Sequence, residues 1–432
     1  MDAKAFAQQK KNELITCRRD LHQHPEPGWT EYRTASIVAS TLEKLGYDLV
    51  VGEEVLKMDA RMGLPSEEEM RHAMDRAIQE GADPKWVEKF GYGRTALVAA
   101  MKFSSDGPVV AFRSDMDSND VVESADADHR PNELGFASLH PGAMHACGHD
   151  SHVTMALGLA EYIAQNKAHY KGTIKLIFQP AEEGVRGARA MAEAGVVDDV
   201  DVFFGLHIGM SSALSNCLAC MTPGFLATTK LDAEFTGYSS HAGGAPERGR
   251  NAMLAACTAV LNLEGISRHS GGASRINVGV LQSGTGRNVI PDKAFLKIET
   301  RGASTAINDY VRERALQVLE GSAVTQDVTV KISEAGSAPC VTNSEDLAET
   351  VHKIAEELAI FRRVDMIYNG GGSEDCAYFM EQVINHGGKA TYMILGSAIA
   401  GPHHNPRFDI DEEDMPNGVI LMGTLADYFL TK

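Results

Sequence analysis

The sequence predicts a mostly parallel α/β sheet with flanking helices, interrupted by a small α+β domain. Three observations carry this. Short apolar runs alternate with a helical pattern between residues 107 and 209, and strands alternating with helices form parallel sheets covered on both faces. Near residue 224 the pattern becomes strand, helix, two strands, helix, strand. After residue 336 helix–strand alternation returns. At 432 residues two domains are also expected on size alone. The expected division is 1–223 with 336–432 for the discontinuous domain, and 224–335 for the insertion.

In chain order, residues 8–46 read as helix, because "TASIVASTLEKLGYD" has apolar residues at helical spacing and ends at Gly46. Residues 53–91 form an insert. Its segment "PSEEEMRHAMDRAIQEG" has Ser66 as a cap, acids in the first turn and Gly81 at the end, so it predicts a helix. The insert either decorates the mouth of a site or is a solvated helix pair. Strands follow at 107–117, 172–184 and 200–209, with a helix at 151–166 between the first two. From 226 to 336 the β-α-β-β-α-β order is the ferredoxin-like split βαβ arrangement. The last helix covers about 417–432.

The charge balance is 40 − 59 = −19. An acidic chain argues against nucleic acid or an anionic membrane as the main partner, and an anionic substrate would need local cationic groups. The first 28 residues hold no apolar core of a signal peptide, and no apolar run is long enough to span a bilayer. Seven scattered cysteines read as reduced thiols, which points to the cytoplasm. "CLAC" at Cys217 to Cys220 lacks a second pair and reads as ordinary buried thiols.

The stretch "MHACGHDSH", residues 144–152, packs a thiol, three imidazoles and a carboxylate among small residues. Cys147 and His149 are candidate metal ligands. Glu183 follows a strand, His207 ends the next, and "GPHHNPRFDIDEED" offers His403 and His404. A thiolate, imidazoles and a carboxylate suit a transition metal better than Mg²⁺ or Ca²⁺. Five donors exceed a closed zinc site, and a thiolate can bridge two ions. Ions about 3.5–4 Å apart would hold a water between them and lower its pKa toward roughly 7. Glu182 has the chemistry of a general base. In extended chain, consecutive residues point opposite ways, so the pair "EE" could aim one carboxylate at metal and one at substrate.

In order and spacing, "RSDMD", "MHACGHDSH", "QPAEEG", "GLHIG", "GGGSED" and "HHNPRFD" resemble the amidohydrolases that cleave N-acyl amino acids, within the wider carboxypeptidase/aminoacylase metallopeptidase family. The match covers nearly the whole chain. The 53–91 insert, "GFAS" and "ASRINVGVLQSGTGRNVIP" look most like the branch acting on p-aminobenzoyl-glutamate, beside the indole-acetyl-amino-acid hydrolases.

The resemblance implies a metallopeptidase-like fold and hydrolysis of an N-acyl glutamate to p-aminobenzoate and glutamate. It implies two metal ions, with Cys147 bridging, His149 and His207 completing one site, and Glu183 and His404 the other. Glu182 would be the general base, and Asp115 would orient His149. His152 would have only a supporting or helix-start role. His241 of "SSHAG" would reach the partner's active site and donate to the oxyanion there. Asn288 and Arg301 would bind the α-carboxylate, Arg301 through its planar fork, and Gly372 would line the substrate. The inserted domain would be lid and dimerisation surface, in a homodimer or a heteromer with a related hydrolase chain. The thiolate favours Zn²⁺ and the resemblance Mn²⁺. "DMDSND" at 115–120 departs from the family's "DMDALP", which changes the loop after the aspartates. The alternatives are an N-acyl-amino-acid hydrolase of other specificity and a non-catalytic homologue.

Overall fold

The computed structural model describes residues 1–210 and 214–431. The chain forms two compact units. The first comprises Met1–Pro223, Val341–Gly370 and Asp375–Lys432; the second comprises Gly224–Cys340 with Gly371–Glu374.

The first unit opens with α1 (Ala3–Gln23) and α2 (Tyr32–Leu45), where the sequence predicted one helix over 8–46. The break follows from Pro25 and Pro27, which lack amide donors and push the preceding residues toward extended backbone. The Glu26 carboxylate then caps α2, accepting from Arg33 N and Thr34 N at 2.8 Å each. After β1 (Asp48–Val51), the insert supplies α3 (Glu67–Gln79) and α4 (Pro84–Phe90). Ser66 and Glu69 form a capping box on α3.

Next come β2 (Leu97–Lys102), β3 (Val109–Asp115), the one-turn α5 (Arg130–Glu133), α6 (His149–Asn166), β4 (Thr173–Gln179), α7 (Ala188–Glu193), β5 (Val202–Ile208) and β6 (Cys217–Met221). The second unit contributes β7 (Ala227–Thr236), α8 (Ala252–Glu264), β8 (Ser274–Ser283), β9 (Lys293–Gly302), α9 (Thr305–Thr325) and β10 (Thr329–Ala338). The chain returns to the first unit with α10 (Glu345–Leu358), β11 (Arg363–Ile367), α11 (Ala377–Asn385), β12 (Lys389–Leu395) and α12 (Met415–Leu430).

The large sheet has the order β1-β2-β4-β3-β5-β12-β6-β11. Its centre, β4-β3-β5-β12, is parallel; β1/β2, β2/β4 and β12/β6 are antiparallel. Every residue of β5 is buried, as a central parallel strand requires. Helices α1, α6 and α12 pack together. Gly418 lets Met155 pack close to α12, since a Cβ there would lie 2.2 Å from its Sδ. Cys217 and Cys220 are buried thiols on β6, and all seven cysteines are free. No helix among the described residues is long and apolar enough to cross a membrane.

The second unit's sheet runs β10-β7-β9-β8, antiparallel throughout, the ferredoxin-like order. On β9 alternate residues Ala294, Leu296, Ile298 and Thr300 are buried. The first three pack with α8 and α9, so the opposite face carries the other residues.

Beneath α6 lies a buried ion network. Arg18 pairs with Asp150 and Asp409 at 2.9 Å and with Glu412 at 3.4 Å. Burial raises the pKa of Asp150 and Asp409, but Arg18 together with His22 at Asp150, and with Arg130 at Asp409, outweighs it, and both end below the ordinary range. Their stabilisation is therefore present above about pH 4 and lost as pH falls through the depressed values. Arg18→Leu should lower the unfolding free energy by roughly 3–5 kcal/mol in urea, because it strands buried carboxylates, and should flatten the acid limb. An unchanged urea midpoint would show that the network contributes nothing to stability.

Candidate metal centre

The chemistry-bearing side chains of the first unit gather at the carboxyl ends of its parallel strands, where open α/β sheets bind ligands. Asp115 ends β3, Glu182 and Glu183 follow β4, and His207 is the penultimate residue of β5. His149 opens α6, and His403 and His404 lie between β12 and α12.

Two groups of donor atoms share one sulfur. Cys147, His149 and His207 form the first, and Cys147, Glu183 and His404 the second; within each, the atoms lie within 4.8 Å of one another. Cys147 Sγ is 3.4 Å from His207 Nε2, and His404 Nε2 is 3.3 Å from Glu183 Oε1. Hydrogen bonds assign the imidazole tautomers. His149 Nδ1 meets the Asp117 carbonyl at 2.8 Å, and His207 Nδ1 the Ile208 carbonyl at 2.8 Å. Each Nδ1–H must donate, which leaves each Nε2 to face the sulfur. His149 Nε2 is buried and has no hydrogen-bond partner among the described residues. His403 instead points Nε2 at the Ile208 carbonyl, 3.3 Å away. A donor set of one thiol, three imidazoles and a carboxylate, with an orphaned buried nitrogen, fits two transition-metal ions sharing a thiolate.

Electrostatics agree with a cation there. Burial, with Glu183, Glu182 and Asp115 nearby, pushes the Cys147 thiol well above its usual range. Burial and the imidazoles of His152 and His403 press His207 well below its own. Burial opposes ionisation of Glu183, but His404 and His149 outweigh it and bring it to about 2. Burial likewise disfavours charge on His149, yet Asp115 and Asp117 hold it up at about 10. A bound cation would turn the thiol into thiolate and replace the proton on His149.

Two expectations are corrected, the partner of Asp115 and the path of the Glu182–Glu183 pair. The hydrogen bonds of Asp115 go to His152 Nδ1 at 2.5 Å and Arg113 Nη1 at 2.6 Å, while His149 Nε2 is 3.6 Å away. Asp115 therefore orients His152, and His149 is oriented by Asp117, because its ring meets that backbone carbonyl directly. Glu182 and Glu183 diverge in a turn, with no extended segment: Ala181 and Val185 have φ of 52° and 59°. Glu182 Oε2 comes within 3.9 Å of His149 Nε2, while Glu183 turns to His404. Of the imidazoles in "MHACGHDSH", only His149 joins the donors. His152 Nε2 accepts from Ile208 N at 3.0 Å, and His145 is buried beside His22.

The turn after β4 is clamped by buried carboxylates, which sequence reasoning missed. Glu31 accepts from Ala181 N at 2.8 Å. Asp117 accepts from Glu182 N and Glu183 N at 2.9 Å each. Asp375 accepts from Gly187 N at 3.1 Å and Ala188 N at 3.0 Å. Gly187 is required, since a Cβ there would sit 1.8 Å from Pro180 O. The clamps hold a backbone that β-branched Val185 would not adopt freely. The available signals were the second Asp of "RSDMD" and the Asp of "GGGSED". In the altered loop, Asn119 pairs with the Met144 backbone and accepts from Ala146 N at 3.0 Å, bracing the segment before Cys147. The insert reaches the same turn: Arg186 donates to Gly63 O at 3.0 Å and Glu183 O at 2.8 Å, and Trp29 Nε1 donates to Met62 O at 2.7 Å.

In the second unit, His241 bridges to Val289, and Ala242 N donates to Asn288 O at 2.9 Å. His241 Nδ1 accepts from Gly243 N and Gly244 N, so a neutral ring carries its proton on Nε2. Arg301 pairs with Glu299 through two bonds of 3.0 Å. Gly372 lies beside Phe225, and its carbonyl accepts from Leu226 N at 2.9 Å.

The model of "Peptidase family M20/M25/M40" matches residues 111–428. Among curated relatives, the chain is 47% identical to indole-3-acetyl-aspartic acid hydrolase of Enterobacter agglomerans, over 98% of this chain and 96% of that one. It is 47% identical to one of the subunits of p-aminobenzoyl-glutamate hydrolase of Escherichia coli K12, over 95% and 93%. Among solved structures, an aminobenzoyl-glutamate utilization protein from Klebsiella pneumoniae superimposes with TM-score 0.86 at 41% identity, covering 99% and 98%. A dinuclear metal binding peptidase from Bacillus subtilis does so with TM-score 0.67 at 25% identity, covering 99% of each.

Because Cys147 belongs to both groups, Cys147→Ala should deplete metal from both, measured by elemental analysis after dialysis. His404→Ala should spare the group with His149 and His207. Asp117→Asn would turn an amide NH₂ toward a backbone N–H and should weaken metal binding by roughly 10–100-fold. Wild-type affinity in that variant would remove Asp117 from the positioning role.

Proposed function

This chain belongs to peptidase family M20/M25/M40 and is a hydrolase of amide bonds, and we propose that it cleaves p-aminobenzoyl-glutamate to p-aminobenzoate and glutamate. The observation that carries the chemistry is the sulfur shared by two donor groups, with the Glu182 carboxylate beside them. The names of the Escherichia coli and Klebsiella pneumoniae relatives support the acyl group. A second reading, cleavage of indole-3-acetyl-aspartate, is favoured by the equally identical Enterobacter agglomerans relative. Both readings describe an aromatic acyl group on an acidic amino acid.

We assign Cys147 as bridging ligand, His149 and His207 to one ion, and Glu183 and His404 to the other. When bound, two divalent ions would polarise the scissile carbonyl and acidify the attacking water. Glu182 takes the proton of that water and delivers it to the departing amine nitrogen as the C–N bond breaks. The clamped turn fixes this carboxylate, and Asp115 acts indirectly, through His152 and Arg113. His241 donates its Nε2–H, in the partner's active site, to the carbonyl oxygen as negative charge develops. Asn288 and Arg301 hold the α-carboxylate, with the Gly372 turn alongside. Mn²⁺ is the proposed metal, Zn²⁺ the alternative. A related hydrolase chain, or a second copy of this one, is the proposed partner. The free thiols support a cytoplasmic location.

The test strips the chain of metal, reloads it with Mn²⁺ or Zn²⁺ and follows p-aminobenzoate release. Release with metal and none without it is expected. Glu182→Gln should cost roughly 10²–10⁴-fold in kcat at unchanged metal content. Faster cleavage of indole-3-acetyl-aspartate would establish the second reading instead.

A further inference from the structure

We infer that Arg275 binds the side-chain carboxylate of the substrate's amino acid, beside Arg301, and so selects acidic amino acids over neutral ones. The inference rests on the amide-hydrolase reading above and deepens it.

Arg275 on β8 stands directly opposite Arg301 on β9. Residues opposite one another on an antiparallel pair share a face, with Cβ atoms about 4.5–5.5 Å apart, and like charges placed so repel. Two guanidiniums at such a position are stabilised when carboxylates lie against them, and Glu299 supplies one for Arg301. The shared face is the one α8 and α9 leave open. Next to Arg301, Thr300 is buried, and next to Arg275, Ile276 is buried, so both arginines lie on the other side.

A pocket of about 310 Å³ opens there, lined by Arg268, Ser274, Arg275, Asn277, Glu299 and Arg301. Three cations and one anion meet in it, although the chain as a whole carries −19. Glu299 already engages Arg301 through two bonds. This internal carboxylate shows which anion geometry the face accepts, a planar carboxylate against a planar fork. The Arg275 side chain forms no ion pair or hydrogen bond among the described residues. Among the described residues the Arg268 side chain makes only a 3.5 Å contact to the Ile266 carbonyl.

The remaining positive charge thus belongs to Arg275, with Arg268 at the pocket wall. The two carboxylates of glutamate are separated by three carbons, and those of aspartate by two. Neighbouring guanidiniums on adjacent strands match such a pair, whereas a monocarboxylic amino acid would leave Arg275 unused. The shared feature of the two curated relatives' substrates, an acidic amino acid, is what this pair would read.

The experiment compares kcat/KM for p-aminobenzoyl-glutamate and p-aminobenzoyl-glutamine in the metal-loaded full chain, in wild type, Arg275→Ala and Arg275→Lys. The two substrates differ by one charge at nearly equal shape. Wild type should prefer glutamate, and Arg275→Ala should shrink that preference by about tenfold to a hundredfold. Arg275→Lys should retain part of it. A preference unaltered by Arg275→Ala, or a wild type indifferent between the two, overturns the inference and leaves the hydrolase standing. If wild type cleaves neither, the p-aminobenzoyl-glutamate reading fails. Arg275 is then judged by calorimetric binding of glutamate against glutamine, where equal affinities overturn it.

Discussion

The carboxylate of Asp117 is the point on which the centre depends. Its two oxygens accept the amides of Glu182 and Glu183, and its own carbonyl fixes His149. One buried residue thus couples the loop after β3, the turn after β4 and the start of α6. Those three segments carry the general-base candidate and two of the ligand candidates. With Glu31 and Asp375 it forms a carboxylate frame around a strained turn. Hydrogen bonds from backbone amides to ionised acceptors are among the stronger ones available, and here they hold φ values that free chain would avoid.

The same frame concentrates negative charge. Asp115, Asp117, Glu182 and Glu183 converge where Arg113 and His149 supply positive charge. A thiol held protonated by this field and an imidazole held protonated by it both change state when a divalent cation arrives. Rigid elements surround the site: β3 and β5 are central strands, α6 is buried along almost its whole length, and the Arg18 network anchors Asp150 beside His149. The insert adds a further brace through Arg186. Its helices pack against α2 while its first loop supports the turn that carries Glu182.

The second unit poses the opposite problem, since its open sheet face gathers cations. Arg275 and Arg301 share a cross-strand position that stability alone disfavours. In the same unit, His241 has its tautomer set by two glycine amides. Both are features of binding surfaces that fix charge and proton position before a ligand arrives.

Strand and helix alternation, the ferredoxin-like order and the donor residues were legible because they rest on periodicity and on local residue chemistry. Cys147, His149, His207 and Glu183 stood out by residue chemistry near strand ends, the family resemblance chose His404 over His403, and tertiary structure brought all of them within reach of one sulfur. The break at Pro25–Gly28 is written in the sequence too, but the helical spacing on either side masks it. The sequence could not say that Asp115 would turn to His152, that Asp117 would hold two amides, or that Glu31 and Asp375 would meet the turn from either side of the chain. It could not pair Arg275 with Arg301 either. Each of these is a contact between segments distant in sequence, and a buried carboxylate's partner is set by register and packing, not by its neighbours in the chain. The sequence by itself determined which chemical groups were present and on which elements they would ride. Only the tertiary structure decided which lone pair faces which atom, because hydrogen-bond direction and imidazole tautomer are fixed by three-dimensional neighbours.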